Sequence, residues 1–192
     1  MPLSEPPADL SGFPRWTLRR RRALARIHRA DEDARFFSSS TEGRFDLAAP
    51  GGTLYTADTA VGSFVEVFRA VPLVAQAEVD ARRLAVLRAP SARRLANCLD
   101  PLARSFGVTA AILSTPDYAL CQRWAAAFAN AGFDGVRYLA SHDPSSREIA
   151  LAIFGTDGAD ASLDVVEDEP IAQDVIDEAR TRFGILVLST PG

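Results

Sequence analysis

Hydrophobic positions in this chain repeat at two spacings. The run Thr53-Leu54-Tyr55-Thr56-Ala57 is rich in strand-favouring residues, with Pro50-Gly51-Gly52 before it and Asp58 after it. It predicts a strand passing straight into a helix capped by Asp58. Ala60, Phe64, Val67 and Phe68 then follow at helical spacing, and Glu66 sits between Val65 and Val67. A second helix is predicted to start at Ser114-Thr115-Pro116-Asp117, with Thr115 as cap and Pro116 in the first position. Leu120, Trp124, Ala127, Phe128 and Ala131 form its apolar stripe, and Gly132 ends it. A third helix runs from Ile171 to Phe183, with Ile171, Val175, Ile176, Ala179 and Phe183 on one face and Gly184 as its stop.

Short apolar runs supply further strands at Leu84–Leu87, Gly135–Leu139, Glu148–Phe154 and Ile185–Leu188, the middle pair joined by a turn at Ser141–Ser146. Arg93–Phe106 reads as helical pieces interrupted by Pro101 and stopped by Gly107, and Phe36–Leu47 reads as a loop with Arg44 near a structured edge. Leu18–Arg29 enters the core as a short strand or helix beside a cationic surface. Strands and helices mix along the chain, so the predicted class is α+β. Pro2, Pro6, Pro7 and Pro14 mark residues 1–17 as a flexible lead, and residues 18–192 are predicted to form a single domain.

Composition narrows the chemistry. Of the 192 residues 47% are hydrophobic and 24% charged, the balance of a globular chain, and no apolar run approaches a bilayer span. Residues 1–10 carry Glu5 and Asp9 and no secretory or transit pattern, so the expected compartment is the cytoplasm. All 21 basic residues are Arg, which excludes a Schiff-base lysine and a P-loop lysine. Cys98 and Cys121 lack neighbouring metal ligands and read as buried thiols, so neither a metal nor a cofactor is expected. The net charge is −4, yet Arg15, Arg19, Arg20, Arg21, Arg22, Arg26 and Arg29 fall together. Without interleaved aromatics or a nucleic-acid-binding motif, that run reads as a solvated face and direct nucleic-acid binding is not expected.

No glycine-rich phosphate loop is present, so a bound nucleotide would be held by side chains. Arg26 and Arg44, each beside a hydrophobic residue, suit that role because the guanidinium fork makes two parallel bonds to phosphate and keeps its charge when partly buried. The ordinary reading of any one arginine is a solvated side chain. Glu66 could support positive charge at an anomeric carbon as a glycosidic bond breaks, against the ordinary reading of a half-exposed helix carboxylate. Tyr55 could stack on a flat ring such as nicotinamide, although strand tyrosines commonly just pack. Ser141-His142-Asp143 lacks a nucleophile elbow, so Ser141 serves better as a hydrogen-bond donor to phosphate or carboxamide than as a nucleophile.

Taken in order, Arg26-Ile27, Gly43-Arg44-Phe45-Asp46, Thr53-Leu54-Tyr55-Thr56-Ala57, Glu66, and Gly135-Val136-Arg137-Tyr138 with Ser141 resemble the RES domain, over roughly Arg26 to Phe154. Arg26, Arg44, Tyr55, Glu66 and Ser141 match its site positions one by one; Arg29 is the alternative for the first, and Ser145 or Ser146 for the last. The resemblance implies an ADP-ribosyltransferase-like split β-sheet with flanking helices. It implies a toxin that degrades NAD+, with inorganic phosphate as co-substrate or water in its place. Arg26, Glu66 and Ser141 would be catalytic, and Arg44 and Tyr55 would bind substrate. It further implies a helix-turn-helix antitoxin as partner and assembly into a homo-oligomer. Two other outcomes stay open on the residues alone: ADP-ribosyl transfer to a macromolecule, and a non-catalytic Arg-rich binding module.

Overall fold

A computed structural model describes residues 2–68, 72–140 and 147–189. The elements run β1 (Arg15–Leu18), β2 (Ala23–Arg29), β3 (Phe36–Phe37), β4 (Gly51–Ala57), α1 (Ala60–Phe68), β5 (Leu73–Ala75), α2 (Gln76–Asp80), β6 (Arg82–Arg88), β7 (Arg93–Asn97), a 3-10 helix (Pro101–Phe106), α3 (Ala111–Ser114), α4 (Tyr118–Asn130), β8 (Gly135–Leu139), β9 (Ile149–Thr156), β10 (Gly158–Ala159), β11 (Asp164–Pro170), α5 (Gln173–Phe183) and β12 (Leu186–Leu188). Eight strands form the main sheet in the order β1-β7-β8-β9-β4-β2-β6-β11. Its neighbours are antiparallel except for β7 and β8.

Along this sheet β4 pairs with β9 from Gly51↔Thr156 to Ala57↔Ala150, and β2 pairs with β6 from Ala23↔Arg88 to Arg29↔Arg82. Between them β2 and β4 share one pair, Ala25↔Ala57. The strands separate there because the Ile27 N–H, which a continuing ladder would give to β4, donates instead to Ser63 Oγ of α1 at 2.7 Å. The architecture is therefore α+β, with an ADP-ribosyltransferase-like sheet split between β2 and β4.

Strand alternation assigns the core. On one face Tyr55, Ala150, Ala152, Val136 and Tyr138 meet Phe13, Phe45, Trp124 and Phe128, and Ile27 meets Val61, Phe64, Val65 and Phe68 of α1 with Val175, Ile176 and Ala179 of α5. On the other, Leu24, Leu54, Leu87 and Leu151 pack on Ala34, Phe37 and Leu163 from the connecting loops.

Several elements differ from expectation. Residues 2–14 are extended but docked: Leu3, Leu10 and Phe13 are buried, the Trp124 indole donates to Ser4 O at 2.8 Å, and Arg123 pairs with Glu5 at 2.7 Å. Leu18–Arg29 holds the end of β1, a turn at Arg20 and Arg21, and β2, and the basic residues Arg15, Arg19, Arg20, Arg21 and Arg22 are exposed. Of Arg93–Phe106, expected as one or two helical pieces, only the second part is helical. Its first part is strand β7, and Pro101 opens the 3-10 helix, capped by Asp100 accepting from Leu102 N at 2.9 Å. The cap of α1 is Thr59 rather than Asp58, which pairs with Arg22 at 2.9 Å. The cap of α4 is Asp117, two residues later than Thr115. Strand β11 was not foreseen: its Asp164, Glu167 and Glu169 are exposed on a sheet edge, where charge rather than apolar alternation is expected. No helix among the described residues is long and apolar enough to cross a membrane.

Candidate functional site

The site is built on the two banks of the split. On the β4 bank, Tyr55 reaches the loop that carries Gly43-Arg44-Phe45-Asp46. Its hydroxyl accepts from Phe45 N at 2.8 Å and donates to Asp46 Oδ1 at 2.8 Å. The buried Asp46 carboxylate also accepts from Gly43 N at 2.9 Å and from Ser40 Oγ at 3.3 Å. Burial and the Asp46 charge push the Tyr55 hydroxyl pKa well up, so it stays protonated. A Cβ on Gly43 would collide with Asp46 Oδ1 and lie 2.5 Å from the Tyr55 hydroxyl, which explains glycine there.

Arg44 leaves this loop toward α3 and α4. Its Nη1 donates to Thr115 O at 2.9 Å and Ile112 O at 3.3 Å, and its guanidinium lies 4.7 Å from the Tyr118 ring centroid. The cation thus satisfies carbonyls at the end of α3, which lack helical partners. A cavity of about 540 Å³ adjoins it, with Ile112, Arg104 and Cys98 in its wall and Leu139, two residues before Ser141. Burial pushes the Cys98 thiol up, as it does Cys121, so neither is a ready thiolate.

On the β2 bank, Arg26 is the first residue beyond the single β2–β4 pair. It is partly buried, and its Nη1 donates to Phe36 O at 2.8 Å. Desolvation lowers its pKa to about 10, partly offset by the charges of Glu32 and Asp33. Thr56, which faces Arg26 when the Ala25↔Ala57 register is continued, is 4% exposed and its hydroxyl has no hydrogen-bond partner among the described residues. Arg29, the alternative first arginine, is exposed at the far end of β2 and paired with Asp31 at 3.1 Å.

Glu66 is partly buried on α1. Helix geometry places it one turn beyond Gly62 and Ser63 on the same side, and Ser63 is the residue that touches β2 at Ile27. The structure therefore brings Tyr55 to the Arg44 loop, and the Glu66 helix to the strand of Arg26. Ser141, with Ser145 and Ser146, lies outside the described residues. At the far side of that segment, Glu148 is 4% exposed. It accepts from Thr59 Oγ1 at 2.5 Å and is ion-paired with Arg182 of α5. Sequence reading missed Thr56, Ser63, Asp46 and Glu148; only Gly43 and Gly62, at positions where neighbouring carboxylates crowd the backbone, hinted at two of them. No group of His, Cys, Asp and Glu among the described residues could hold a metal ion.

Comparison with known proteins agrees with this architecture. A chain of the M. tuberculosis MbcT–MbcA toxin–antitoxin complex superposes with a TM-score of 0.65 at 21% identity, covering 86% of this chain and 92% of that one. No curated protein matches the sequence. The RES domain family matches residues 22–190, nearly the whole sequence from the last arginine of the basic turn onward, and the chain belongs to that family.

Proposed function

We propose that this protein is the toxin of a toxin–antitoxin pair and that it degrades NAD+ by phosphorolysis. A phosphate oxygen attacks C1′ of the nicotinamide ribose, the C1′–N bond breaks, and its electron pair leaves with the nicotinamide ring. The products are ADP-ribose 1-phosphate and nicotinamide. The observation that carries this reading is Arg26: a partly buried guanidinium with one carbonyl partner among the described residues, at the point where β2 leaves β4, on the strand whose neighbouring Ile27 is bonded to the helix of Glu66. A partly buried cation binds phosphate more strongly than one fully in water.

In this reading Arg26 and the remaining N–H groups of Arg44 bind phosphates. The Tyr55 ring holds nicotinamide, Glu66 stabilises the oxocarbenium-like transition state, and Ser141 orients the substrate or the acceptor phosphate. The enzyme works in the cytoplasm, where a helix-turn-helix antitoxin restrains it, and it assembles as a homo-oligomer. The RES family match and the toxin–antitoxin origin of the similar structure support the reading.

The test is incubation of purified protein with NAD+, with and without inorganic phosphate, beside a Glu66→Ala control. The expected outcome is nicotinamide from the native protein only, faster with phosphate and accompanied by ADP-ribose 1-phosphate. Label from adenine-labelled NAD+ appearing on protein or nucleic acid would make it an ADP-ribosyltransferase. Intact NAD+ throughout would remove the enzymatic reading.

A further inference from the structure

Glu148 stands apart from the five matched residues, yet it joins three parts of the molecule. Oε2 accepts from Thr59 Oγ1 at 2.5 Å, and the same hydroxyl accepts from Gly62 N at 2.9 Å, which makes it the N-cap of α1. Oε1 is held by Arg182 of α5, which also pairs with Glu178 at 2.6 Å. Its backbone carbonyl accepts from Ala140 N at 2.9 Å, closing the base of the segment that contains Ser141.

Two sequence features support a purpose for this contact beyond general packing. Helix α1 has no acid in its first turn, and Glu148 brings a carboxylate to its cap. Gly62 lies in the first turn, where glycine weakens a helix, and a Cβ there would sit 2.8 Å from Glu148 Oε2. The helix thus gives up propensity at the one position where the carboxylate must approach. Ser63, next to Gly62, is bonded to β2 beside Arg26, and Glu66 stands one turn further along that side.

We infer that Glu148 is a positioning residue: braced by Arg182 from α5, it sets the axial placement of α1 through the Thr59 cap, and so the placement of Glu66 in the split. The inference rests on the reading of Glu66 given above. It assigns a role to α5, which carries none of the matched residues: the helix is the outer support of the reacting centre. Arg182 and Thr59 act through one carboxylate, so their effects are coupled.

Steady-state nicotinamide release by the full chain is compared for native protein, Arg182→Met, Thr59→Val, Thr59→Ser and the Arg182→Met/Thr59→Val double variant, alongside amide hydrogen exchange of α1. Arg182 and Thr59 are both partly or fully solvent-exposed, so these variants fold even where Glu148→Gln does not. The expected result is kcat lowered roughly 10- to 100-fold in Arg182→Met and Thr59→Val. KM stays within about twofold, and Thr59→Ser restores the rate. The double variant is no slower than the worse single one, and α1 amides exchange faster in both single variants. Unchanged kcat in folded variants, a KM effect instead, or additive losses would overturn the inference. If the native protein releases no nicotinamide, it is the functional reading that has failed. The brace then stands on faster α1 exchange in Arg182→Met, and falls if exchange is unchanged.

Discussion

The two banks of the split are built differently. On the β4 bank every polar group named in the Gly43–Asp46 loop has a protein partner: the Tyr55 hydroxyl is used on both sides, Asp46 accepts three bonds, and Arg44 caps α3 while lying over Tyr118. On the β2 bank, among the described residues, Arg26 has a single carbonyl bond and a depressed pKa, and the buried hydroxyl of Thr56 opposite it has no hydrogen-bond partner. A satisfied network rigidifies, whereas an unsatisfied one signals a group kept for something else. The β4 bank is scaffold that presents a ring and an arginine; the β2 bank is where a ligand has most to gain.

That contrast is open to direct attack. Arg26→Met should cost most in rate, with kcat/KM for NAD+ lowered roughly 10²- to 10³-fold. Its thermal stability should change by no more than about 1 kcal/mol, because a desolvated cation is exchanged for an apolar chain. Equal losses of rate and stability would erase the distinction between the banks. Tyr55→Phe and Gly43→Ala should show the reverse. Each disturbs the Asp46 hub, and Tyr55→Phe leaves Phe45 N–H and Asp46 Oδ1 unpaired, for about 2–3 kcal/mol. Calorimetry should therefore find Tm lowered by roughly 5–10 °C in Tyr55→Phe. The folded enzyme should keep its rate within about threefold, since the ring remains.

The smallest effect is the alkaline limb. The guanidinium of Arg26 loses its proton as pH rises through about 10, below the ordinary arginine range, so phosphate binding and activity should fall with a midpoint near 10. Over that same window the unfolded chain still holds the proton that the folded one has released. The contribution of Arg26 to stability therefore rises with pH, and activity should be lost before the fold is. A pH–rate profile read beside circular dichroism tests this; an activity loss that coincides with unfolding counts against Arg26.

What could be read from sequence followed the physics of each segment. The strand-to-helix unit from Thr53 to Phe68 was legible because turn residues precede it and a run of strand-favouring residues gives way to apolar positions at helical spacing. Tyr55 and Glu66 came with it. Strand β7 was misread because Leu95, Ala96 and Ala103 mimic a helical stripe, and Pro101 looked like an interruption rather than a start. Strand β11 has no apolar alternation to read, since an edge strand can face water on both sides. The Gly43-Arg44-Phe45-Asp46 motif was visible, but Asp46 as its hub was not, because that role depends on Tyr55 folding back over it. Glu148 and Arg182 are separated by 34 residues, and no local pattern announces such a pairing.

The docked N-terminal segment carries a consequence for synthesis. Ser4 and Glu5 leave the ribosome early, yet their partners Trp124 and Arg123 lie 120 and 118 positions later, and β1 waits for β7. Loop closures over such distances come late in folding. The last support of the Glu66 helix, Arg182, comes later still. Until Trp124 and Arg182 have been made, the N-terminal segment has nothing to dock on and α1 lacks its outer brace.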